Sequence, residues 1–455
     1  MPSMVRSAKT QTILGLGAVA LRDRLASGEF TAVDVVEACL DRITEFEPQV
    51  GAWAWLDGDH AIQQAQRLDQ WRQMGRPLGP LHGLPVGLKD IIDTKGIPTE
   101  NGTPIDAGRV PDEDAWIVSR LRAAGAIILG KTVTTEAAFM HAGKTRNPHN
   151  PDHTPGGSSS GSAAAVAAGM VPFAIGTQTG GSVIRPASFC GVVGFKPTFG
   201  LIPRTGILPQ SPHLDTVGVF ARSVEDAALL TEVIAGHDPL DRATSPVPMP
   251  RMLDVATSKP PVLPDFALAR IPGWDQADPQ MTAAIEELVD LLGDKCIEAP
   301  LPELSQAAKT RELINFAEMA KCYYHFEARG RDQLSDKLRT AIDKGKDVMA
   351  RDYISALDWR EVLNAGFEAI FNRADAIICP AALGPAPEGL EDTGNPIFNG
   401  LWTLAGMPSV TIPLFVAENG MPMGVQLVGR RNDDARLLRT AKWLNSHIET
   451  LETGN

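Results

Sequence analysis

The stretch Thr154–Thr198 constrains this chain more than any other part of its sequence. It contains two Gly-Gly-Ser turns, which place Ser158 and Ser182 24 residues apart (182 − 158 = 24). A small-residue helix pattern and a short apolar strand pattern lie between the two turns. Because glycine has no Cβ atom, such turns let backbone N–H groups approach a ligand oxygen. Two hydroxyl groups held on these turns therefore predict a nucleophile site.

Strand and helix patterns alternate along the rest of the chain. Apolar runs predict buried strands at 86–88, 126–129, 171–175, 192–195 and 376–379, and a hairpin of 409–415 with 423–428 across Asn419-Gly420. Helices are predicted at 12–26, 31–46, 60–74, 116–124, 162–169, 223–234, 279–293, 303–329, 346–372 and 433–445, with 238–264 as an irregular connection. We therefore expect an α/β fold, a single large domain with a central mixed, mostly buried β-sheet covered by helices.

Charge and hydropathy argue against two classes of partner. Lys and Arg together number 42 and Asp and Glu number 55, which gives a net charge of −13. A nucleic-acid partner would favour a basic face, so none is expected. The sequence has no apolar run of about 18 residues, so no membrane-spanning helix is expected either.

Cysteine usage predicts a reducing compartment. The five cysteines are scattered and odd in number, at Cys39, Cys190, Cys296, Cys322 and Cys379. This fits free thiols in the cytoplasm better than a disulfide framework. No metal-ligand spacing appears among Cys and His, and no cofactor is expected. The expected partners are a small-molecule substrate and, on general frequency alone, a second copy of the chain in a homodimer.

Two motif matches suggest other chemistries, and neither fits its context. Residues 125–132 match the phosphate-binding loop pattern literally, but their apolar middle predicts a buried strand, and a helix precedes them. Residues 157–161 match the Gly-x-Ser-x-Gly nucleophile elbow, which requires a strand immediately before it. Here the preceding residues 151–155 include two prolines, which are incompatible with a central strand.

The motifs together resemble the core of the amidase signature family. Its Gly-Gly-Ser-Ser, Gly-Thr-x-x-Gly-Gly-Ser and Lys-Pro-Thr motifs match residues 156–159, 176–182 and 196–198, and its upstream Lys-Asp pair after a Gly-x-Pro turn matches residues 83–90. The resemblance runs from about residue 16 to about 445 and is weakest at 240–370. It implies one amidase domain over 1–455, with a catalytic core at 80–235, a variable helical region at 240–370 and a C-terminal sheet and helix at 375–445.

The resemblance also implies catalytic roles. Ser182 would be the nucleophile and Lys89 the base, acting through Ser158, and a lysine serves as a base only when burial keeps it neutral. The Gly157–Ser158 peptide bond would be cis. Ser159 would support the relay by hydrogen bonding. The oxyanion hole would consist of four successive backbone N–H groups, those of Thr179, Gly180, Gly181 and Ser182.

Two positions depart from the family pattern. Many members have aspartate where this chain has Gln178, and many have arginine two residues after the nucleophile, whereas Arg185 stands three after it. The second variant resembles the small malonamidase-like branch. Arg185 could hold a substrate carboxylate by a bidentate pair, or it could be structural and bind backbone carbonyl groups. Further pocket residues are sought at 100–145 and 310–400, with four candidates: Met140, His141, Phe316 and Trp402.

These observations predict an amidohydrolase that cleaves a small linear amide through an acyl-Ser182 intermediate, giving a carboxylic acid and ammonia or an amine. The alternative is the amidase subunit of a glutamine-dependent amidotransferase complex, in which the ammonia passes to a partner. A third interpretation, a non-catalytic anion-binding protein, conflicts with the intact Lys89, Ser158 and Ser182.

Overall fold

The protein is built on one mixed sheet of 11 strands in a single large α/β domain; the computed structural model describes residues 7–453. The strands are β1 (Trp53–Leu56), β2 (Pro85–Lys89), β3 (Ile127–Thr132), β4 (Phe173–Gln178), β5 (Val193–Lys196), β6 (Thr216–Ala221), β7 (Phe266–Leu268), β8 (Cys296–Glu298), β9 (Ala376–Pro380), β10 (Ser409–Val416) and β11 (Pro422–Val428). Most of them are buried, which confirms the predicted fold class.

Helices cover the sheet. They are α1 (Ala8–Gly15), α2 (Ala18–Ser27), α3 (Ala32–Val50), α4 (Gly58–Gln73), α5 (Trp116–Ala123), α6 (Ser160–Ala167), α7 (Ile184–Cys190), α8 (Val224–Ile234), α9 (Met252–Thr257), α10 (Pro279–Leu292), α11 (Ala307–Cys322), α12 (Tyr324–Gly330), α13 (Asp336–Lys346), α14 (Ala350–Leu357), α15 (Trp359–Phe371), α16 (Ile397–Ala405) and α17 (Asp434–Thr453). Thr31 and Asp34 form a capping box at the start of α3.

The order of the strands brings the two motif regions together. The sheet runs β1-β3-β2-β4-β6-β5-β10-β11-β9-β7-β8, and β2 is parallel to both β3 and β4. The hairpin β10–β11 is antiparallel, as predicted. Because parallel neighbours end at the same edge of a sheet, Lys89 at the end of β2 lies beside the end of β4, from which the chain enters the second Gly-Gly-Ser turn.

Several predicted helices are divided in the structure. The predicted helix at 12–26 is two helices, because the Asp226 carboxylate from α8 accepts the Val19 N–H (2.8 Å) and caps a new helix there. A Cβ atom on Gly17 would lie 2.7 Å from the same carboxylate, so only glycine fits at the break. The predictions at 303–329 and 346–372 are likewise divided, at Tyr323 and Asp358.

Other elements escaped sequence reasoning because their patterns are silent. All seven residues of α7 and eight of the nine in α16 are buried, so neither helix shows an amphipathic period. Strands β7 and β8 have three residues each, and they exist only through pairing with neighbours. The helix α13, the helix α9 inside the predicted irregular connection, and the strands β1 and β6 were also missed.

The phosphate-loop match is a buried strand, as expected. Every residue of β3 is buried, and the Lys131 ammonium donates to the Ile92 carbonyl (2.7 Å) and the Thr99 hydroxyl (2.6 Å). Such a lysine cannot reach a phosphate in solution. Across the described chain, all five cysteines are free thiols, and no helix is both long and apolar enough to cross a membrane.

Candidate active site

Lys89 is held at the edge of the sheet by two hydroxyl groups. Its Nζ donates to Ser158 Oγ at 2.7 Å and to Thr177 Oγ1 at 2.9 Å. Thr177 comes from β4, the parallel neighbour of the strand that ends in Lys89. The motif that contains Thr177 gave it no role, and the sequence signal that could have found it is its place in the strand leading to the second turn.

Burial makes Lys89 a usable base. Its side chain is 0% exposed, and the loss of hydration lowers its pKa to about 7, although the Asp215 carboxylate acts in the opposite direction. About half of the molecules therefore carry a neutral amine at pH 7. The geometry thus supplies an unprotonated lysine in contact with the Ser158 hydroxyl.

The first serine turn joins the sheet to α6. The Gly157–Ser158 peptide bond is cis, in agreement with the resemblance. The Ser159 hydroxyl accepts the Thr177 N–H and donates to the Thr177 carbonyl, both at 3.2 Å, and so fixes the turn against β4. A Cβ atom on Gly176 would lie 2.5 Å from Ser159 Oγ, so glycine is required for this close approach.

Gln178 organises the second serine turn. Its side-chain carbonyl accepts the N–H groups of Val183 and Ile184 at 2.9 and 3.0 Å, at the start of α7, and its amide donates to Thr403 at 3.1 Å. The Thr403 hydroxyl donates in turn to the Gly180 carbonyl at 2.9 Å. A neutral amide therefore serves as the acceptor at the position where many family members have a carboxylate.

The backbone of this turn exposes hydrogen-bond donors. The Gly180 carbonyl accepts the Thr403 hydroxyl and the Gly181 carbonyl accepts the Arg185 N–H (3.0 Å). Since carbonyl and N–H point in opposite directions in a trans peptide, the next N–H groups, those of Gly181 and Ser182, point away from these partners. Within residues 7–453, the N–H groups of Gly180, Gly181 and Ser182 have no hydrogen-bond acceptor.

Asp215 anchors Thr179 at the start of the same turn, a contact that sequence reasoning missed. Its carboxylate accepts the Thr179 hydroxyl at 2.5 Å and the N–H groups of Gln210 and Ser211 at 2.9 and 2.8 Å. Burial is the largest influence on the Asp215 carboxyl and raises its pKa. The only signal in the sequence is a charged residue directly before the buried strand β6.

Arg185 links the two serine turns. Its Nη2 donates to the Gly157 carbonyl (2.7 Å), its Nε donates to the Thr393 carbonyl (2.6 Å), and burial lowers its pKa to about 10. These contacts are those of the structural alternative. The third nitrogen, Nη1, has no partner among the described residues and lies 2.8 Å from where a Cβ atom on Gly181 would be.

A cavity of about 630 Å³ opens in front of the second turn. Half-buried Ser182 lines it, together with Thr179, Gly180 and Gly181. Of the four pocket candidates, Met140 and Phe316 line this cavity, whereas exposed His141 does not. Trp402 was wrongly placed there: it is fully buried and packs against Phe367, with ring centroids 5.1 Å apart. In the described part of the chain, no cluster of three or more His, Cys, Asp or Glu side chains is suited to hold a metal ion.

Comparison with known proteins gives the same family as the motifs. The family model described as Amidase matches residues 34–438. One of the subunits of glutamyl-tRNA(Gln) amidotransferase from Chloroflexus aurantiacus (strain J-10-fl) is 36% identical, over 93% of this chain and 95% of the relative.

Solved structures agree over almost the whole chain. The native peptide amidase from Stenotrophomonas maltophilia superimposes with a TM-score of 0.82 at 29% identity, covering 96% of this chain and 97% of that one. A structure described as a vestigial protein complex that reveals the origins of an s-triazine catabolic enzyme gives a TM-score of 0.88 at 30% identity, covering 95% and 98%. The chain therefore belongs to the amidase family, and it is an enzyme that acts on carbon–nitrogen bonds.

Proposed function

We propose that this enzyme hydrolyses the carbon–nitrogen bond of a small linear amide through an acyl-Ser182 intermediate, giving a carboxylic acid and ammonia or an amine. One observation carries the proposal. The Lys89 amine, whose pKa is lowered to about 7, lies 2.7 Å from the Ser158 hydroxyl, and Arg185 ties the Ser158 turn to the Ser182 turn.

Acylation begins with a proton relay. Neutral Lys89 takes the proton of Ser158, and Ser158 takes the proton of Ser182 as the Ser182 oxygen attacks the amide carbonyl carbon. The negative charge that forms on the carbonyl oxygen is stabilised by the backbone N–H groups of the turn, for which we propose those of Thr179, Gly180, Gly181 and Ser182. The absence of a protein acceptor for the last three, among the described residues, supports this role.

The relay then runs backwards. Ser158 gives its proton to the leaving nitrogen and is reprotonated by Lys89, so the carbon–nitrogen bond breaks with a neutral leaving group. A water molecule replaces the amine and attacks the acyl group, losing its proton through Ser158 to Lys89. Release of the carboxylic acid restores the Ser182 hydroxyl. Ser159 supports the relay by holding the first turn against Thr177.

The test is ammonia release from a panel of primary amides, by wild type and by Ser182→Ala. Ser160→Ala is the matched control, because Ser160 lies in the first motif and bonds only the Val133 carbonyl (3.3 Å). We expect turnover by wild type and Ser160→Ala, loss of at least about 10³-fold in Ser182→Ala, and trapping of the acyl group by hydroxylamine as a hydroxamate. Equal turnover by wild type and Ser182→Ala would place the nucleophile elsewhere.

A second function is favoured by the comparison with amidotransferase subunits. At 36% identity over 93% of the chain, this protein could act as the amidase subunit of a glutamine-dependent amidotransferase complex. Glutamine hydrolysis that appears only when a co-expressed partner is present would support it. Turnover of other amides by the isolated chain, with glutamine inert, would reject it. We propose a cytoplasmic location for either function, supported by the five free thiols, and a homodimer for the isolated enzyme.

A further inference from the structure

Arg311 is a second guanidinium group in the cavity of Ser182. It projects from α11, and its Nη1 lies 3.5 Å from where a Cβ atom on Gly180 would be. A Cβ atom on Gly400 of α16 would lie 2.7 Å from its Nε, so the glycine leaves the space across which the arginine side chain extends. The guanidinium group is therefore held between the nucleophile turn and α16.

The charge of Arg311 is poorly compensated by the protein. Its side chain is only 14% exposed, and burial lowers its pKa. Within residues 7–453 it makes no hydrogen bond, and its one ion-pair contact is with the Glu312 carboxylate at 4.0 Å, a side chain that is 57% exposed. By contrast, the partly buried Arg204 has the Asp241 carboxylate and two backbone carbonyls as partners.

A second observation points to the same missing ligand. Nη1 of Arg185, another cation of this cavity, is buried and unpartnered among the described residues, and the positive charge of Arg311 helps to lower the Arg185 pKa. Two cations near one another, each with unused donors, favour an anion between them. The other charged side chains that line the cavity, Glu312 and Asp392, are exposed.

We propose that Arg311 binds a carboxylate of the substrate, so that the enzyme prefers amides that carry an anionic group at the end opposite to the scissile bond. This rests on the proposed amidase function and adds the substrate class. A planar guanidinium with free donors matches a carboxylate in bidentate fashion. The acidic Glu312 and Asp392 disfavour a doubly charged phosphate.

The spacing suggests a short substrate. Gly180, beside Arg311, is two residues from Ser182, a reach of at most about 7 Å along the chain. Half-amides of short dicarboxylic acids fit this separation. Their neutral counterparts, primary amides of the same length with a methyl group in place of the carboxylate, are the matched substrates.

The test compares kcat/KM for each half-amide and its neutral counterpart, in wild type, Arg311→Lys and Arg311→Met. We expect wild type to prefer the half-amide, and Arg311→Met to lose about 10- to 100-fold on it, mainly through KM, with the neutral amide changed less than about threefold. Arg311→Lys, which keeps the charge without the planar pair of donors, should fall in between. An equal loss on both substrates would make Arg311 structural, and equal wild-type activity on both would also overturn the proposal while leaving the amidase intact.

Binding separates this proposal from the proposed function. Calorimetric titration of Ser182→Ala with a half-amide should give a heat of binding that the Ser182→Ala, Arg311→Met double variant lacks. Unchanged binding in the double variant would overturn the role of Arg311. Turnover of no amide by wild type would refute the proposed function, and the titration would then decide the anion site independently. A thermal melt of each variant verifies that it is folded.

Discussion

Lowering the pH should switch the enzyme off through Lys89. Only the neutral amine can accept the Ser158 proton, and burial sets the Lys89 pKa at about 7. The neutral fraction is about nine-tenths at pH 8, half at pH 7 and one-hundredth at pH 5. We therefore expect kcat/KM to fall by about two orders of magnitude between pH 8 and pH 5, with a midpoint near pH 7.

The variant Asp215→Asn tests whether this limb belongs to Lys89. The Asp215 carboxylate raises the Lys89 pKa, so removing its charge should move the midpoint to lower pH. Lys196 provides a matched control, because burial also lowers its pKa to about 7 and the Asp434 carboxylate acts on it as Asp215 does on Lys89. Asp434→Asn should leave the midpoint of kcat/KM where it is.

The measurement uses a neutral amide at constant ionic strength from pH 5 to pH 9. Enzyme held at each pH is also returned to pH 8, which separates reversible titration from unfolding. A kcat/KM that is flat between pH 6 and pH 8, or a midpoint near the ordinary lysine value, would show that Lys89 is not the base. A midpoint that follows Asp434→Asn instead of Asp215→Asn would assign the limb to Lys196.

Two further predictions concern the serine turns. Gly176→Ala should destabilise the protein by about 1–3 kcal/mol and lower kcat, because its Cβ atom would lie 2.5 Å from Ser159 Oγ; Gly15→Ala, with nothing within 4 Å, should be near neutral by thermal melting. Gln178→Ala should cost about 1–3 kcal/mol and lower kcat, since the N–H groups at the start of α7 and the Thr403 hydroxyl lose a buried partner; an unchanged melting temperature would contradict the capping role.

The predictable part of the site is the part written in contiguous motifs. Lys89, Ser158 and Ser182 stand in short segments whose glycines and strands could be read locally, and two parallel strands bring Lys89 to the first turn. The contacts that were missed come from far along the chain. Arg311 follows Ser182 by 129 residues (311 − 182 = 129) and sits in a helix pattern that gives no sign of a cavity.

Trp402 shows the opposite error. A large aromatic near the expected variable region suggested a pocket residue, but α16 is buried nearly all round and carries Trp402 into the hydrophobic core. The same helix presents Gly400 to Arg311, a function that no side-chain property could have announced. Which face of a fully buried helix meets a cavity depends on tertiary packing and cannot be read from periodicity.

The two walls of the cavity are encoded by different parts of the chain. The reacting groups come from residues 83–185, whereas Arg311 and Gly400 stand on α11 and α16, which pack against each other on the far side. Changes in α11 and α16 can therefore give a lineage a new substrate while its inherited bond-breaking apparatus stays intact. For protein engineering, this makes α11 and α16 the segments in which to randomise residues when a different amide is to be cleaved.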